Sequence, residues 1–137
     1  MAEAARAELK VGTRVARKYQ LVRLLGCGGM GAVYEAVHEF THRRVAVKLM
    51  HPSFARSGLA AERFLREAQA PSTIGHAGIV EVLDGGYDTD DSLYLVLEYL
   101  EGKTLSVPMK AGPMSPQEIG PLALELLDAL AAAHDSG

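Results

Sequence analysis

The sequence has few of the features that mark secreted, membrane-spanning or nucleic-acid-binding proteins. Its single cysteine, Cys27, excludes a disulfide within the chain. It has no long uncharged apolar run, and its first ten residues alternate small and charged side chains instead of forming a signal peptide. The net charge of −3 provides no clustered positive surface for nucleic acid or an anionic membrane. We therefore expect a cytoplasmic location, no nucleic-acid partner, and no membrane contact within this chain.

Metal-binding patterns are also missing from the sequence. The five histidines show no ligand spacing and have no cysteine partners. The acidic stretch 84–92 lacks the full ligand spacing and the closing glutamate of a calcium loop, so a hairpin turn is the better interpretation. We expect no metal site in the chain.

The apolar pattern predicts one domain that contains both strands and helices. The chain has 137 residues, of which 48% are hydrophobic, enough for one core. Period-two alternation predicts strands at 19–25, 32–37, 44–50, 79–83 and 93–97. Helical spacing predicts helices at 59–70 and from Pro116 onward. Residues 1–12 precede this pattern and are predicted to form a flexible leader or a short fraying helix, without a site.

The last predicted helix has strong start signals and a wide apolar stripe. Ser115 is a candidate N-cap, Pro116 occupies the first helical position, and Glu118 completes a capping box. The stripe is too wide to be left in water, and it consists of Ile119, Leu122, Ala123, Leu126, Leu127 and Leu130. We expect this helix to fold back on its own sheet or to pair with another copy and form a homodimer.

A glycine-rich segment connects the first two predicted strands. Gly26, Gly28 and Gly31 let backbone N–H groups approach phosphate oxygens without a Cβ in the way. The same glycine spacing occurs in dinucleotide-binding folds, where the third glycine opens a helix and an acid lies about twenty residues further on. Here the glycines lead into the strand 32–37, and the residue seventeen after Gly31 is Lys48. The pattern therefore favours a phosphate-covering hairpin, with a dinucleotide-binding oxidoreductase as a distant alternative.

Two charged residues downstream fit the same site. Ala46 and Lys48 share a strand face, so a small residue that leaves room for a flat base lies beside an ammonium. The alternative for Lys48 is an edge lysine that prevents aggregation. Glu67 lies on the apolar stripe of its helix and needs a cationic partner, either Lys48 or, on an exposed face, Arg63. Pro71 is expected to end or kink the helix, which would leave Glu67 in its last turn and open the pair with Lys48.

Five segments together resemble the N-terminal lobe of a bacterial eukaryotic-like (Hanks-type) serine/threonine protein kinase. They match that family in content, order and spacing, and they lie at 28–34, 46–48, 63–68, 75–80 and 95–102. The resemblance covers about residues 19–137. It implies an α+β kinase N-lobe over 13–101, with a five-stranded antiparallel sheet and one regulatory helix. Residues 102–137 would be the hinge exit and the first long helix of the C-terminal lobe.

The resemblance also implies an ATP site. The glycine loop would cover the triphosphate, Lys48 would hold the α- and β-phosphates, and Glu67 would orient Lys48. Leu97 would be the gatekeeper, and backbone groups of Glu98 and Leu100 would hydrogen-bond the adenine. The adenine itself would lie below Leu25, Val33 and Ala46. The remaining members of the implied site belong to the loop: Gly26, Cys27, Gly28, Gly29, Met30, Gly31 and Ala32.

The resemblance implies that the full-length parent transfers the γ-phosphoryl group of ATP, with magnesium, to serine or threonine of protein substrates. The family's His-Arg-Asp loop, its metal-binding asparagine and its Asp-Phe-Gly motif are expected to begin just beyond Gly137. We therefore expect the chain alone to hold no catalytic residue, to be inactive and to bind ATP weakly. The alternative is a non-catalytic kinase-like module that docks or dimerises, but such a module has no need of Lys48 and the glycines.

Overall fold

The computed structural model describes residues 7–8, 10–29, 31–51 and 58–136, with the backbone alone at 60, 67 and 69–72. Its strands are β1 (Arg14–Val15), β2 (Tyr19–Gly28), β3 (Gly31–His38), β4 (Arg44–Met50), β5 (Val82–Tyr87) and β6 (Leu93–Glu98). Its helices are α1 (Gly58–Ile74), α2 (Ser106–Ala111) and α3 (Pro116–Asp135). Within this part of the chain, the strands form one antiparallel sheet in the order β1-β2-β3-β4-β6-β5. The predicted α+β class with an antiparallel sheet is confirmed.

The sheet contains a sixth strand, β1, that the sequence pattern did not predict. β1 has two residues, too few for alternation to be seen, and it pairs with the start of β2. The turn between them is formed by Ala16 and Arg17, which have positive φ angles of 50° and 57°. Neither residue is typical of such a turn, which is why it gave no signal. The backbone N–H of Ala16 donates to Asp88 Oδ1 at 2.9 Å, and this bond holds the turn in place.

The predicted strand 79–83 is wrong in its bounds, because β5 begins at Val82 and continues to Tyr87. Gly85 and Gly86 were interpreted as turn residues, but they pair with Leu95 and Tyr94 of β6. A Cβ on Gly85 would lie 2.8 Å from the Leu95 side chain, so this glycine allows close approach within the sheet. The turn is confined to the residues between Tyr87 and β6.

The helix was expected to end or kink at Pro71, and the first of these alternatives is wrong, since α1 continues to Ile74. A proline removes only one backbone donor from a helix, and the residues after it keep their own donors. Helix α2 was not predicted, and none of its residues is buried.

Two apolar clusters cover the two faces of the sheet. The outer face carries Tyr34, Val47 and Val96, which pack with Ala7 and Val15 from the start of the chain. The inner face carries Leu93 and Leu95, which pack against Ala61 and Phe64 of α1 together with Met50. Because paired residues of neighbouring strands lie on the same face, Val33, Lys48 and Leu95 belong to the inner face.

Part of the predicted leader 1–12 lies on the outer face. The Tyr34 hydroxyl donates to the Ala7 carbonyl oxygen at 2.8 Å, and the Gly12 N–H donates to the Leu21 carbonyl at 2.8 Å. Ala7 itself is buried. Positions 1–6 and 9 of the leader lie outside the described residues.

Helix α3 begins as predicted, with the capping box of Ser115 and Glu118. It contacts the loop after α1 through Ala129 and through Asp128, whose carboxylate lies 3.1 Å from His76 Nε2. Its leucines are not covered by the sheet, since Leu122 is 38% exposed and Leu124 is 70% exposed. Of the two expected arrangements, folding back on the sheet is therefore not the one observed. No helix in the described ranges has both the length and the hydropathy to cross a bilayer.

Candidate functional site

The glycine-rich segment forms the tip of the β2–β3 hairpin. Gly28 pairs with Gly31 at the end of the hairpin, and Gly29 follows β2 directly. Met30 of the predicted site lies outside the described residues. A Cβ on Gly31 would collide with the backbone carbonyl oxygen of Leu49 on β4, so only glycine fits there. A Cβ on Gly26, Gly28 or Gly29 would have none of the described atoms within 4 Å. Internal packing therefore explains Gly31 but not the other three.

The inner face brings together the predicted strand residues of the site. Val33 pairs with Gly26 on one side and with Lys48 on the other. Ala46 pairs with Leu97 of β6 and lies two residues before Lys48 on β4. Ala46, Leu97 and Lys48 therefore lie on the same face. Ala46 is buried at 8% exposure, so a flat surface without a large side chain lies at this point. Ala46 and Lys48 thus share a face, as strand periodicity predicts.

Three further predicted residues, Leu25, Glu98 and Leu100, do not share the inner-face pairing of Ala46 and Lys48. Leu25 lies where β2 is irregular, between the pairs formed by its two neighbours, and is 42% exposed. Glu98 ends β6, and its backbone N–H donates to the Glu81 carbonyl at 3.0 Å. Leu100 follows the sheet and is 61% exposed. Glu98 pairs with Val45 of the outer-face cluster, so its side chain belongs to that face.

Lys48 extends from the inner face toward α1. Its Nζ lies 5.4 Å from the ring centroid of Phe64, a residue of α1 with only 3% exposure. A cation over an aromatic ring is favourable at this distance. Glu67 lies on the same helix, but the predicted Lys48–Glu67 pair depends on a side chain outside the described residues.

Cys27 and Ala32 differ from the other predicted residues in the face they occupy. They pair with each other, and Ala32 is buried in the outer-face cluster. Cys27 is exposed and lines a cavity of about 410 Å³ on the outer face, together with Tyr34 and Leu49. Only the backbone of these two residues is therefore available to a ligand on the inner face.

A charged cluster on the inner face was not predicted from the sequence. Glu35 of β3 accepts hydrogen bonds from Arg23 Nη2 at 2.7 Å and from Arg44 Nε at 3.1 Å. The hydrogen bonds from Arg23 hold the pKa of Glu35 below its usual range, and those from Arg44 add to this effect, although burial acts in the opposite direction. Glu35 pairs with Ala46, so the cluster lies on the inner face. Finding it requires the register of three strands, which the sequence pattern does not give.

Known proteins are similar to this chain over most of its length. The family model described as the protein kinase domain matches residues 19–137. The chain is 38% identical over 127 residues to the serine/threonine-protein kinase PrkC of Bacillus subtilis (strain 168), which covers 92% of this chain and 19% of that protein. It is 38% identical over 120 residues to the serine/threonine-protein kinase PknH of Mycobacterium tuberculosis (strain ATCC 25618 / H37Rv), with 87% and 19% covered.

A solved structure gives the same result for the fold. The PknI kinase domain of M. tuberculosis superposes with a TM-score of 0.77 at 29% identity, over 93% of this chain and 51% of that one. The chain thus spans about half of that kinase domain and about a fifth of the curated relatives. The predicted likeness to a kinase N-lobe is confirmed by this superposition. On the match of the family model and on these identities, the chain belongs to the protein kinase family.

Proposed function

We propose that this chain is the ATP-binding lobe of a protein serine/threonine kinase. Its full-length parent would transfer the γ-phosphoryl group of ATP to serine or threonine residues of protein substrates. The observation that carries the proposal is the register of β2, β3 and β4, in which Gly26, Val33 and Lys48 lie side by side on the inner face. A phosphate-covering hairpin and an amine are thereby brought to one surface.

The adenine would lie on the inner face where side chains are smallest. Ala46 leaves room for a flat ring, Val33 would cover it from the hairpin side, and Leu97 lies beside Ala46. Backbone groups of Glu98 and Leu100 would hydrogen-bond the edge of the base. Leu25 would cover the base from β2.

The phosphates would lie under the hairpin tip. Gly26, Gly28 and Gly29 are not required by internal packing, and their missing side chains would let backbone N–H groups reach phosphate oxygens. Lys48 would hold the α- and β-phosphates, and Glu67 would orient it. In the parent, magnesium bound by residues outside this set would neutralise charge on the phosphates.

We also infer that these 137 residues alone bind ATP weakly and do not transfer its phosphate. The sequence contains neither a His-Arg-Asp loop nor an Asp-Phe-Gly motif. Positioning and charge stabilisation supply nearly all of the catalysis in phosphoryl transfer, and both depend on those residues. Phosphorylation of a generic protein substrate by this chain, abolished by Lys48→Ala, would contradict the inference.

Nucleotide binding is the direct test of the main proposal. We expect ATP to shift the backbone amide NMR signals of 26–33 and 98–100 in a titration of the ¹⁵N-labelled chain. Lys48→Ala should weaken ATP about tenfold or more, because a charge-assisted contact is lost. Lys110→Ala, on exposed α2, is the matched control and should bind as the unmodified chain does. No shift in either segment at millimolar ATP would refute the proposal.

The exposed leucines of α3 support a second proposal, a homodimer formed through this helix. Leu124, Leu126 and Leu127 are 55–70% exposed, and α2 and α3 border an apolar groove of about 370 Å³. A second copy would cover this face, and the chain would then also act as a kinase-like dimerisation module in the cytoplasm. Light scattering at high protein concentration tests this, and a strictly monomeric chain would rule the dimer out.

A further inference from the structure

Residues 99–101, named here the exit segment, follow β6 directly and are tied to the sheet by side chains. The Tyr99 ring lies against the guanidinium of Arg44, with Cζ 4.2 Å from the ring centroid. The Tyr99 hydroxyl accepts a hydrogen bond from Arg23 Nη2 at 3.2 Å. Glu101 accepts one from Arg44 Nη1 at 2.6 Å. Both arginines thus connect the exit segment to strands that are distant from it in sequence.

The two arginines are themselves fixed by one carboxylate. The Glu35 side chain is 11% exposed and lies between β2 and β4. One of its oxygens accepts from Arg23, and the other accepts from Arg44 Nε and lies 3.0 Å from Arg44 Nη2. A guanidinium held by two of its nitrogens has a defined plane, so its remaining N–H groups have defined directions. Those directions lead to Tyr99 and Glu101.

We propose that Arg44, held by Glu35, is a positioning residue that fixes the exit segment for adenine binding. The inference rests on the proposed function, in which backbone groups of Glu98 and Leu100 hydrogen-bond the base. Both residues adjoin Tyr99, so holding the Tyr99 side chain limits the rotation of the peptide groups on either side of it. A backbone that is already ordered loses less entropy when a ligand binds, and the affinity for adenine rises accordingly.

The exposure of Arg44 and Glu101 indicates that their ion pair affects local order more than overall stability. Arg44 is 47% exposed and Glu101 is 78% exposed, and ion pairs at such sites contribute little to the free energy of unfolding. Three contacts of different kinds nevertheless converge on this guanidinium: a buried carboxylate, an exposed carboxylate and an aromatic ring. Together they determine a position even where each contributes little energy.

The test compares Arg44→Ala, Arg44→Lys and a matched control in the full 137-residue chain. Arg14→Ala is the control, because Arg14 is 55% exposed and pairs with Glu39 at 2.8 Å, away from the exit segment. Backbone NMR order parameters of 99–101 should fall from about 0.85 to below about 0.6 in Arg44→Ala. Arg44→Lys keeps the charge but not the planar fork and should recover only part of this order.

Ligand binding separates positioning from a general structural role. Adenosine should bind about threefold more weakly to Arg44→Ala, whereas inorganic tripolyphosphate should bind within about twofold of the unmodified chain, because only adenine uses the exit segment. Tyr99→Leu removes the ring but leaves both arginines on Glu35, and it should reproduce the loss for adenosine. Arg14→Ala should change neither ligand.

The possible outcomes distinguish the inference from the function on which it rests. Equal adenosine affinity and equal order in the unmodified chain and Arg44→Ala would overturn the inference and leave the proposed function intact. Equal losses for adenosine and tripolyphosphate, with a lower unfolding temperature, would also overturn it, since the role would then be structural. If the unmodified chain bound neither ATP nor adenosine, the proposed function would fail, while a loosened exit segment in Arg44→Ala would still support the role of Arg44 in ordering it.

Discussion

The sheet and helix α3 bury their apolar residues to very different extents. Leu21, Tyr34 and Val47 of the sheet are 0–1% exposed, whereas Ala129 is the buried residue among the described side chains of α3. Yet α3 has the clearer local signals, with a capping box and a proline at its start. The residue at which a helix begins is thus set by neighbours within a few residues, whereas burial requires a second surface.

Truncation of a core residue should give the largest effect. Leu21→Ala in the outer-face cluster should lower the free energy of unfolding by about 2–5 kcal/mol, because the cavity it leaves cannot be refilled. Leu127→Ala, at a position that is 61% exposed in one copy, should cost less than about 1 kcal/mol at protein concentrations too low for a dimer to form. Urea unfolding measures both. Similar losses in the two variants would mean that α3 is covered in solution and would remove the contrast.

The charged cluster on the inner face should give the next largest effect. Glu35→Gln should cost about 1–3 kcal/mol at neutral pH, because two guanidinium groups lose a buried carboxylate partner. The pKa of Glu35 is lowered in the folded state, so its contribution is present above the unfolded pKa near 4.5 and is lost as the pH falls through the folded value. Between pH 7 and about pH 3, the free energy of unfolding should therefore fall less with decreasing pH for Glu35→Gln than for the unmodified chain.

A control for this pH dependence lies on the sheet surface. Glu39 is 47% exposed, and its carboxylate pairs with the exposed Arg14 at 2.8 Å. Glu39→Gln should therefore leave the pH dependence of the free energy of unfolding nearly unchanged. Parallel curves for Glu35→Gln and the unmodified chain would contradict the assigned cause of the pKa shift.

The start of α3 should respond locally. Ser115→Ala removes the N-cap of the helix, which is worth about 1 kcal/mol to the first turn. The Cα chemical shifts of 116–120 should move toward coil values, while the midpoint of global unfolding stays where it is. A lower midpoint of global unfolding would indicate that α3 unfolds together with the sheet and would weaken the contrast between the two regions.

The contact between α3 and the loop after α1 should give the smallest effect. Asp128 is 78% exposed and its partner His76 is 24% exposed, so Asp128→Ala should cost no more than about 0.5 kcal/mol. Glu125→Ala, on the same helix, is a suitable reference. A cost above about 2 kcal/mol would show that the pair anchors α3 to the sheet region.

Most of the sheet could be predicted because its strands alternate clearly, and the exceptions have physical causes. β1 is too short for periodicity, and its turn at Ala16 and Arg17 has no glycine. The predicted bounds of β5 were wrong because Gly85 allows a close approach between strands and does not form a turn. The limits of α1 were misjudged because one proline does not necessarily end a helix.

Strand period alone predicted that Ala46 and Lys48 share a face, and the hairpin glycines were recognisable from their spacing. The face occupied by Cys27 and the cluster around Glu35 could not be predicted in this way. Both depend on strand register, which is shifted in β2 between Leu21 and Arg23 and again between Leu24 and Gly26. Residues that meet across strands are visible only after the pairing is known.

The placement of Cys27 on the outer side of the hairpin has a practical consequence. It is the single thiol in the sequence, and it is exposed on the face opposite Lys48. A fluorescent label attached to its Sγ would therefore sit behind the glycine hairpin and leave the inner face clear. Its signal would report changes around the hairpin, with no engineered attachment point.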